Sequence, residues 1–328
     1  MKKLILHTLK EKQGYVSGEE LSNSLGVSRT AVWKHINELR KEGYIIESSS
    51  KKGYRLTGLP DILDGREVSV PDGQQIGREL VHFADIDSTN NYAKKIGNDG
   101  CPHGTVVTAE RQTLGRGRVG RLWQSDNSRG LWFSIVLRPD LEPEKVQIIT
   151  LAASVAVVEG IIEVLDINCG IKWPNDIILG SCKLGGILTE LSAEPGHVNY
   201  VVVGIGLNIN QDSGDFDQEL QDKAASLKLF TGKTHSRAKI LSGILKSFEK
   251  IYTMLLAGET RQIIDKWNKY SVTVGKEVRI ISREVEYIGT AQSVALDGKL
   301  VVKCKDGTLR EVSSGEVQVR GLMGYARD

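Results

Sequence analysis

The chain has 328 residues, 40% of them hydrophobic and 26% charged, with a formal net charge of only +2. That composition excludes a disordered or fibrous chain and allows two or three globular domains. The charge is unevenly spread: residues 1–60 hold 11 Lys/Arg against 6 Asp/Glu, and the remainder 32 against 35. This is the pattern of a nucleic-acid-binding module on a slightly acidic body.

The first sixty residues read as three helices and a hairpin. "KKLILHTLKEK" has apolar residues at helical spacing, too short a run and too soon charged for a signal segment. "SGEELSNSL" opens with Ser17 and has Glu20 three residues on, a capping-box pattern. Gly26 makes a tight turn, and Ser28 caps "RTAVWKHINELRKEG", where Val32, Ile36 and Leu39 share a face. "YIIESSSKKGYRL" reads as two strands around a basic turn. The combination predicts a winged helix-turn-helix. Its candidate DNA contacts are Ser28, Arg29, Thr30, Trp33, Lys34 and Asn37 on the third helix, with Lys51 and Lys52 on the wing. The plainer alternative is a small helical domain with solvated charges.

"TGLPDILDG" reads as a linker, and residues 65–270 mix strands and helices. "VHFADID" and "GTVVTAE" are predicted strands flanking a helix in "STNNYAKKIG", and "GLWFSIVLRP" is a third strand. A long helix follows from Pro143 to about residue 165. Its apolar stretch falls short of the roughly 20 residues of a membrane span. Glu159 and Glu163 interrupt it, so an amphipathic core helix is expected and no membrane association. "IKWPNDIIL", "CKLGGILTEL" and "NYVVVGIGLNIN" read as three strands, part of an antiparallel run, before helices near 236–257 and 259–270. From residue 271 the pattern alternates, with Asp297-Gly298 and Asp306-Gly307 as hairpin turns, predicting a small β-barrel. Cys101, Cys169, Cys182 and Cys304 form no C-x-x-C pair, which argues against a zinc site or a disulfide framework.

"GRGRVGRLW", residues 115–123, contains G-x-G-x-x-G, the dinucleotide-binding pattern. Asp140 even stands where a ribose-binding acid belongs. The context fails, because a strand and not a helix follows Gly120, leaving no helix N-terminus to face a pyrophosphate. Arg116, Arg118 and Arg121 repel one another unless an anion sits among them. A solvated basic loop is the alternative. "KWPND" places Lys172, Asn175 and Asp176 about a turn, where Asp176 serves either as a Mg²⁺ ligand beside phosphate or as a turn former. Lys183 enters an apolar strand before Gly185-Gly186, which would allow close approach of a ligand. It belongs either to a site within the sheet or to an edge strand protected from aggregation. Asn208 ends the buried run "GIGLNIN". Together these groups suggest an ATP-dependent reaction run by cations and positioning.

"DSTN", "RQTLGRGRVGRLW", "KWPND", "KLGGIL" and "GIGLNIN", in this order, resemble the motifs of the biotin–protein ligases. The basic N-terminal module is similar to that of the members that double as biotin operon repressor. The resemblance spans essentially the whole chain. It implies an α/β multidomain protein with a winged helix-turn-helix over 1–62, a mixed α/β ligase domain over 65–270 and a small SH3-like β-barrel over 271–328. ATP and biotin would be substrates, with Mg²⁺, giving biotinyl-5′-AMP and then biotinylated carrier lysine. The implied partners are the biotin carboxyl carrier protein of acetyl-CoA carboxylase, the operator DNA of biotin genes, and a second copy of the chain when loaded with biotinyl-5′-AMP. The implied location is cytoplasmic.

Motif by motif, the resemblance implies that Ser88, Thr89, Asn90 and Gln112 hold biotin's ureido end. Arg116, Gly117 and Arg118 would close over the ligand, with Gly186 beside it. Arg118, Arg121 and Lys183 would face the carboxylate and phosphates. Lys172, Asn175 and Asn208 fall on the ATP side, and Asp176 on Mg²⁺. Trp123 would pack on adenine, its alternative being a plain core tryptophan. Lys183, Arg118 and Asp176 are the catalytic candidates. A sensor without catalysis and a lipoyl-protein ligase are the competing readings. The presence of Arg118, Lys183 and Asp176 opposes the first, and "GRGRVGR" with the N-terminal module opposes the second.

Overall fold

Val32, Ile36 and Leu39, spaced i, i+4, i+7, are fully buried and set the packing of the N-terminal residues. The computed structural model describes residues 1–281, 286–314 and 318–321, so 282–285, 315–317 and 322–328 of the expected barrel lie outside the described residues. The chain divides into two compact units, Met1–Ile62 and Leu63–Asp328.

The first unit comprises α1 (Lys2–Lys12), α2 (Gly18–Leu25), α3 (Arg29–Lys41) and the hairpin β1 (Ile45–Ser49) with β2 (Gly53–Gly58). Its own small core includes Ile5, Leu9, Leu21 and Tyr44. Ser17 Oγ accepts from Glu20 N at 3.0 Å and Ser28 Oγ from Ala31 N at 3.2 Å. Such caps are worth about 1 kcal/mol each. The expected capping box forms only on this side, because the Glu20 carboxylate pairs with Lys12 instead.

The second unit begins with β3 (Leu80–Ile86), α4 (Thr89–Asn98), β4 (Thr105–Gln112), β5 (Leu131–Leu137) and α5 (Gln147–Leu165). It continues through β6 (Gly170–Lys172), β7 (Asp176–Leu179), β8 (Cys182–Glu194), β9 (His197–Leu207), α6 (Leu227–Thr231), α7 (Arg237–Leu256) and α8 (Thr260–Tyr270). The seven-stranded sheet runs β3-β4-β5-β9-β8-β7-β6. Only the β3–β4 ladder is parallel. "IKWPNDIIL", expected as one strand, is a hairpin of β6 and β7 turned at Trp173-Pro174-Asn175. Proline has no N–H to give to a ladder, so the strand ends there.

The long helix α5 is apolar all round rather than amphipathic, because it is buried against β8, α7 and α8. Its two glutamates are neutralised from those neighbours: Glu159 by Lys266 of α8 at 2.7 Å and Glu163 by Lys246 of α7 at 2.5 Å.

The tail forms β10 (Glu277–Ile281), β11 (Glu286–Val294), β12 (Leu300–Cys304), β13 (Leu309–Val312) and β14 (Gln318–Gly321), an antiparallel sheet in the order β13-β12-β11-β10-β14. Val278, Ile280, Leu300 and Val302 belong to the same core as the body. Gly298 O accepts from Gln147 Nε2 at 2.7 Å and from Trp173 Nε1 at 3.1 Å. Shared core and shared bonds explain why this sheet and the body make one unit.

Candidate functional site

A cavity of about 390 Å³ opens on the seven-stranded sheet. That size suits a small-molecule site. Every candidate small-molecule residue lines it: Ser88, Thr89, Asn90, Gln112, Arg116, Gly117, Arg118, Arg121, Trp123, Lys172, Asn175, Asp176, Lys183, Gly186 and Asn208.

One group of these is a rack of neutral polar side chains. Ser88, Thr89 and Asn90 start α4 and are buried, and the Ser88 hydroxyl makes no capping bond. Gln112 Oε1 accepts from Thr89 N at 2.8 Å and from Thr89 Oγ1 at 3.1 Å, while Gln112 Nε2 donates to Ser125 Oγ at 3.1 Å. Ser134 Oγ stands 2.6 Å from Asn90 Oδ1 and 2.8 Å from Thr89 Oγ1. Residues three and four positions apart in sequence cannot make this arrangement; the parallel β3–β4 pair and the start of α4 do.

Another group is cationic. Lys183 Nζ lies 2.5 Å from Asp176 Oδ1 and 5.3 Å from the Trp123 ring centre. Arg118 donates to Asn175 Oδ1 at 3.1 Å and to the Ser314 carbonyl of the C-terminal sheet. Burial holds the Arg118 guanidinium below its ordinary value, and Arg121 beside it pushes the same way against Asp176. Asn175 is itself tied down, donating to Ile187 O at 2.7 Å. β8 is paired on both sides, so Lys183 is not an edge-strand lysine. Arg121 and Lys172 add charge to the lining.

The Gly/Arg segment folds back on itself. Gly117 N donates to Arg121 O at 2.7 Å, Trp123 N to Gly115 O at 2.9 Å, and Arg118–Gly120 form a single 3-10 turn. Arg116 reaches Asn91 Oδ1 at 3.0 Å. Trp123 is half-buried at the cavity wall, not a core tryptophan, and meets Trp132 edge-on at 6.3 Å. Its indole N–H is buried without a partner among the described residues. Asn208 is buried, its side-chain oxygen 3.4 Å from Gln211 Nε2.

Gly185 does not serve a ligand as expected. A Cβ there would meet Gly206 O at 2.5 Å and Leu207 Cδ2 at 2.4 Å, so neighbouring β9 needs the space; Gly186 is the one that lines the cavity. Gly204 and Gly206 were missed. Cβ atoms there would lie 2.0 Å from Asn90 Oδ1 and 2.7 Å from Trp123 Nε1. Their i, i+2 spacing in "GIGLNIN" puts both on one face of a strand, a signal that sequence carries. Phe216 and Lys223, also in the lining, come from an irregular segment with no such signal.

Mg²⁺ fits this site only as a phosphate-borne ion. Asp176 is the one carboxylate in the lining among the described residues, and one of its oxygens holds Lys183. No group of three or more His, Cys, Asp or Glu side chains arranged to hold a metal occurs among the described residues. One carboxylate plus substrate phosphates and water is an ordinary Mg²⁺ set.

In the N-terminal unit, Ser28, Arg29, Thr30, Trp33, Lys34, Lys51 and Lys52 are exposed, and Asn37 is half-buried. Trp33, 57% exposed, is unusual for an indole without a partner surface. Ser28 Oγ is committed to its cap, Arg29 pairs with Glu19 at 2.6 Å, and Asn37 accepts from Arg40 at 3.2 Å.

Three family profiles match the chain: the HTH domain over residues 2–55, the Biotin/lipoate A/B protein ligase family over 82–208, and the Biotin protein ligase C terminal domain over 273–320. The bifunctional ligase/repressor BirA of Bacillus spizizenii is 40% identical over 93% of this chain and 94% of its own length. The chain belongs to the biotin protein ligase family, in the branch that joins ligase and repressor. BirA of Escherichia coli is 27% identical over 93% of this chain and 92% of its own. The biotin protein ligase of Aquifex aeolicus, solved with biotin and ATP, superposes with a TM-score of 0.65 at 28% identity, covering 74% of this chain and 99% of that one.

Proposed function

We propose that this biotin protein ligase forms biotinyl-5′-AMP from biotin and ATP and transfers biotin to a lysine of the biotin carboxyl carrier protein of acetyl-CoA carboxylase. With the adenylate as corepressor it binds, as a homodimer, the operator of biotin genes in the cytoplasm. The observation that carries the ligase half is one cavity with a neutral polar rack and a cationic group built around Lys183, Arg118 and Asp176.

A ureido group has two donors and one acceptor, and Ser88, Thr89, Asn90 and Gln112 supply uncharged partners for it. The carboxylate then points to the cations. A biotin carboxylate oxygen attacks the α-phosphorus of ATP, one P–O bond forms, and the bond to pyrophosphate breaks. Two anions must meet in that step. Lys183, Arg118 and Arg121 lower their repulsion and stabilise the charge that develops. Asp176 would hold Mg²⁺ against the phosphates; when bound, the ion neutralises phosphate charge. Trp123 walls the purine, and Lys172, Asn175 and Asn208 complete the nucleotide side. In the second step the carrier lysine, as free amine, attacks the anhydride carbonyl and AMP leaves. Arg116, Gly117 and Arg118 lie over the ligand and keep water from that carbonyl.

The repressor half rests on the exposed face of α3 and its basic wing. One winged helix contacts too little DNA for high specificity, so two copies on a symmetric site are expected. Incubating the chain with biotin and ATP should yield a bound biotinyl-5′-AMP detectable by mass spectrometry. Operator binding should tighten only when both are present. A bound adenylate of lipoate instead would replace this reading by the lipoyl one.

A further inference from the structure

Glu190 on β8 lies outside the cavity lining, yet three side chains from two places, α4 and the Gly/Arg segment, end on it. Its Oε2 accepts from Asn90 Nδ2 at 2.8 Å. Its Oε1 accepts from Lys94 Nζ at 2.8 Å and stands 3.3 Å from Arg116 Nη1. Burial would raise its pKa, but the bonds from Lys94 and Asn90 and the charge of Arg116 outweigh burial and hold it below the ordinary carboxylate value. At neutral pH it is therefore an anion that only accepts hydrogen bonds.

That one property propagates through the rack. An acceptor-only neighbour fixes the Asn90 amide with its nitrogen toward Glu190 and its oxygen toward Ser134. Asn90 Oδ1 then takes the single Ser134 proton across 2.6 Å. Ser134 is left with only lone pairs for Thr89 Oγ1 at 2.8 Å, so the single Thr89 hydroxyl proton serves either Ser134 or Gln112 Oε1 at 3.1 Å. Gln112 Oε1 accepts from Thr89 N, which turns Gln112 Nε2 to Ser125. The orientation of Asn90 and of the Ser134 proton thus follows from one half-buried charge, while the Thr89 backbone N–H fixes Gln112. The same charge attaches Arg116 of the Gly/Arg segment to the rack.

We propose that Glu190 is a positioning residue for biotin, setting the hydrogen-bond polarity of Asn90 and Ser134 in the rack and joining the Gly/Arg segment to it through Arg116. The inference rests on the assignment of the rack to biotin made above.

Steady-state adenylation by the full chain tests it, comparing wild type with Glu190→Gln, Glu190→Asp and Lys94→Gln. Glutamine keeps the shape but can present a donor to Asn90. The KM for biotin should rise about tenfold or more, the worth of one charge-assisted bond. The KM for ATP should stay within about twofold, since its contacts are elsewhere. Glu190→Asp should recover part of the loss, and Lys94→Gln should stay near wild type because the bond to Asn90 remains. Ser134→Ala breaks the same relay one bond further on and carries the test if Glu190→Gln does not fold. An unchanged biotin KM in folded Glu190→Gln, or in Ser134→Ala in its place, overturns the proposal. So does a uniform fall in activity with both KM values unmoved, the mark of a merely structural role. A wild-type chain without biotin-dependent adenylation overturns the functional reading instead.

Discussion

Lys183 and Asp176 face each other across the β7–β8 pair, Nζ to Oδ1 at 2.5 Å, and both line the cavity. Lys183 is 27% exposed and Asp176 18%, a pair that is partly desolvated but open to a ligand. In the proposed reaction, Asp176 would hold the ammonium in place before substrate arrives, so that little reorganisation is needed when phosphate charge appears.

Lys183→Ala is therefore expected to lower biotin-dependent ATP–pyrophosphate exchange by about 10²-fold or more, the usual cost of removing a preorganised donor. Asp176 reaches the open cavity, so the fold should survive, as circular dichroism would report. Exchange at near-normal rate would remove Lys183 from the chemistry.

Arg118 bridges the Gly/Arg segment to Asn175 and to the Ser314 carbonyl. In Arg118→Gly both bonds go, and the segment has less to hold it closed. Adenylation should slow modestly, while release of biotinyl-5′-AMP should quicken by roughly tenfold or more. Bystander lysines would then be biotinylated in a mixed-protein assay. Wild-type levels of bystander labelling would contradict the lid role.

Gly204→Ala would put a methyl 2.0 Å from Asn90 Oδ1, whereas Gly214→Ala would meet nothing within 4 Å. Overpacking of this kind costs about 1–3 kcal/mol. Titration calorimetry should show weaker biotin binding for the first and none of that loss for the second.

Cys169 is buried and its thiol is pushed up to about 12 by burial, while Cys101, Cys182 and Cys304 are partly exposed. The thiolate is the reactive form, so at pH 8 Cys169 should resist alkylation until the unit unfolds. Peptide mass spectrometry along a urea series should show Cys169 labelling in step with loss of structure and the other three labelling earlier.

On the N-terminal unit, Lys51→Ala should reduce the salt slope of operator binding by about 0.9 if it neutralises one phosphate. Trp33→Ala should narrow the gap between operator and unrelated DNA. Fluorescence anisotropy over a salt series measures both.

Much of this was readable from sequence, and the limits have physical causes. The winged helix announced itself through periodicity and caps, because Val32, Ile36 and Leu39 form one buried stripe and Ser17 and Ser28 open their helices. The cavity residues were found by motif, and the sheet order is what brings Asn90, Arg118 and Lys183 to one place. Pro174 was seen as a turn but not as the break between two strands. α5 is expected to be amphipathic because Glu159 and Glu163 interrupt its apolar run, and no local pattern reveals their partners Lys266 and Lys246 about a hundred residues on. Glu190 carries no motif; its role depends on three groups that only the fold brings to it.

The central claim is that this cavity joins biotin to ATP and passes biotin on. The direct measurement is the intact mass of a biotin carboxyl carrier domain after incubation with the chain, ATP, Mg²⁺ and an equimolar mixture of biotin and lipoate. The account predicts a single biotinyl addition on the carrier lysine, dependent on ATP and lost in Lys183→Ala. An unmodified carrier domain, or one bearing lipoyl in place of biotinyl, would contradict it.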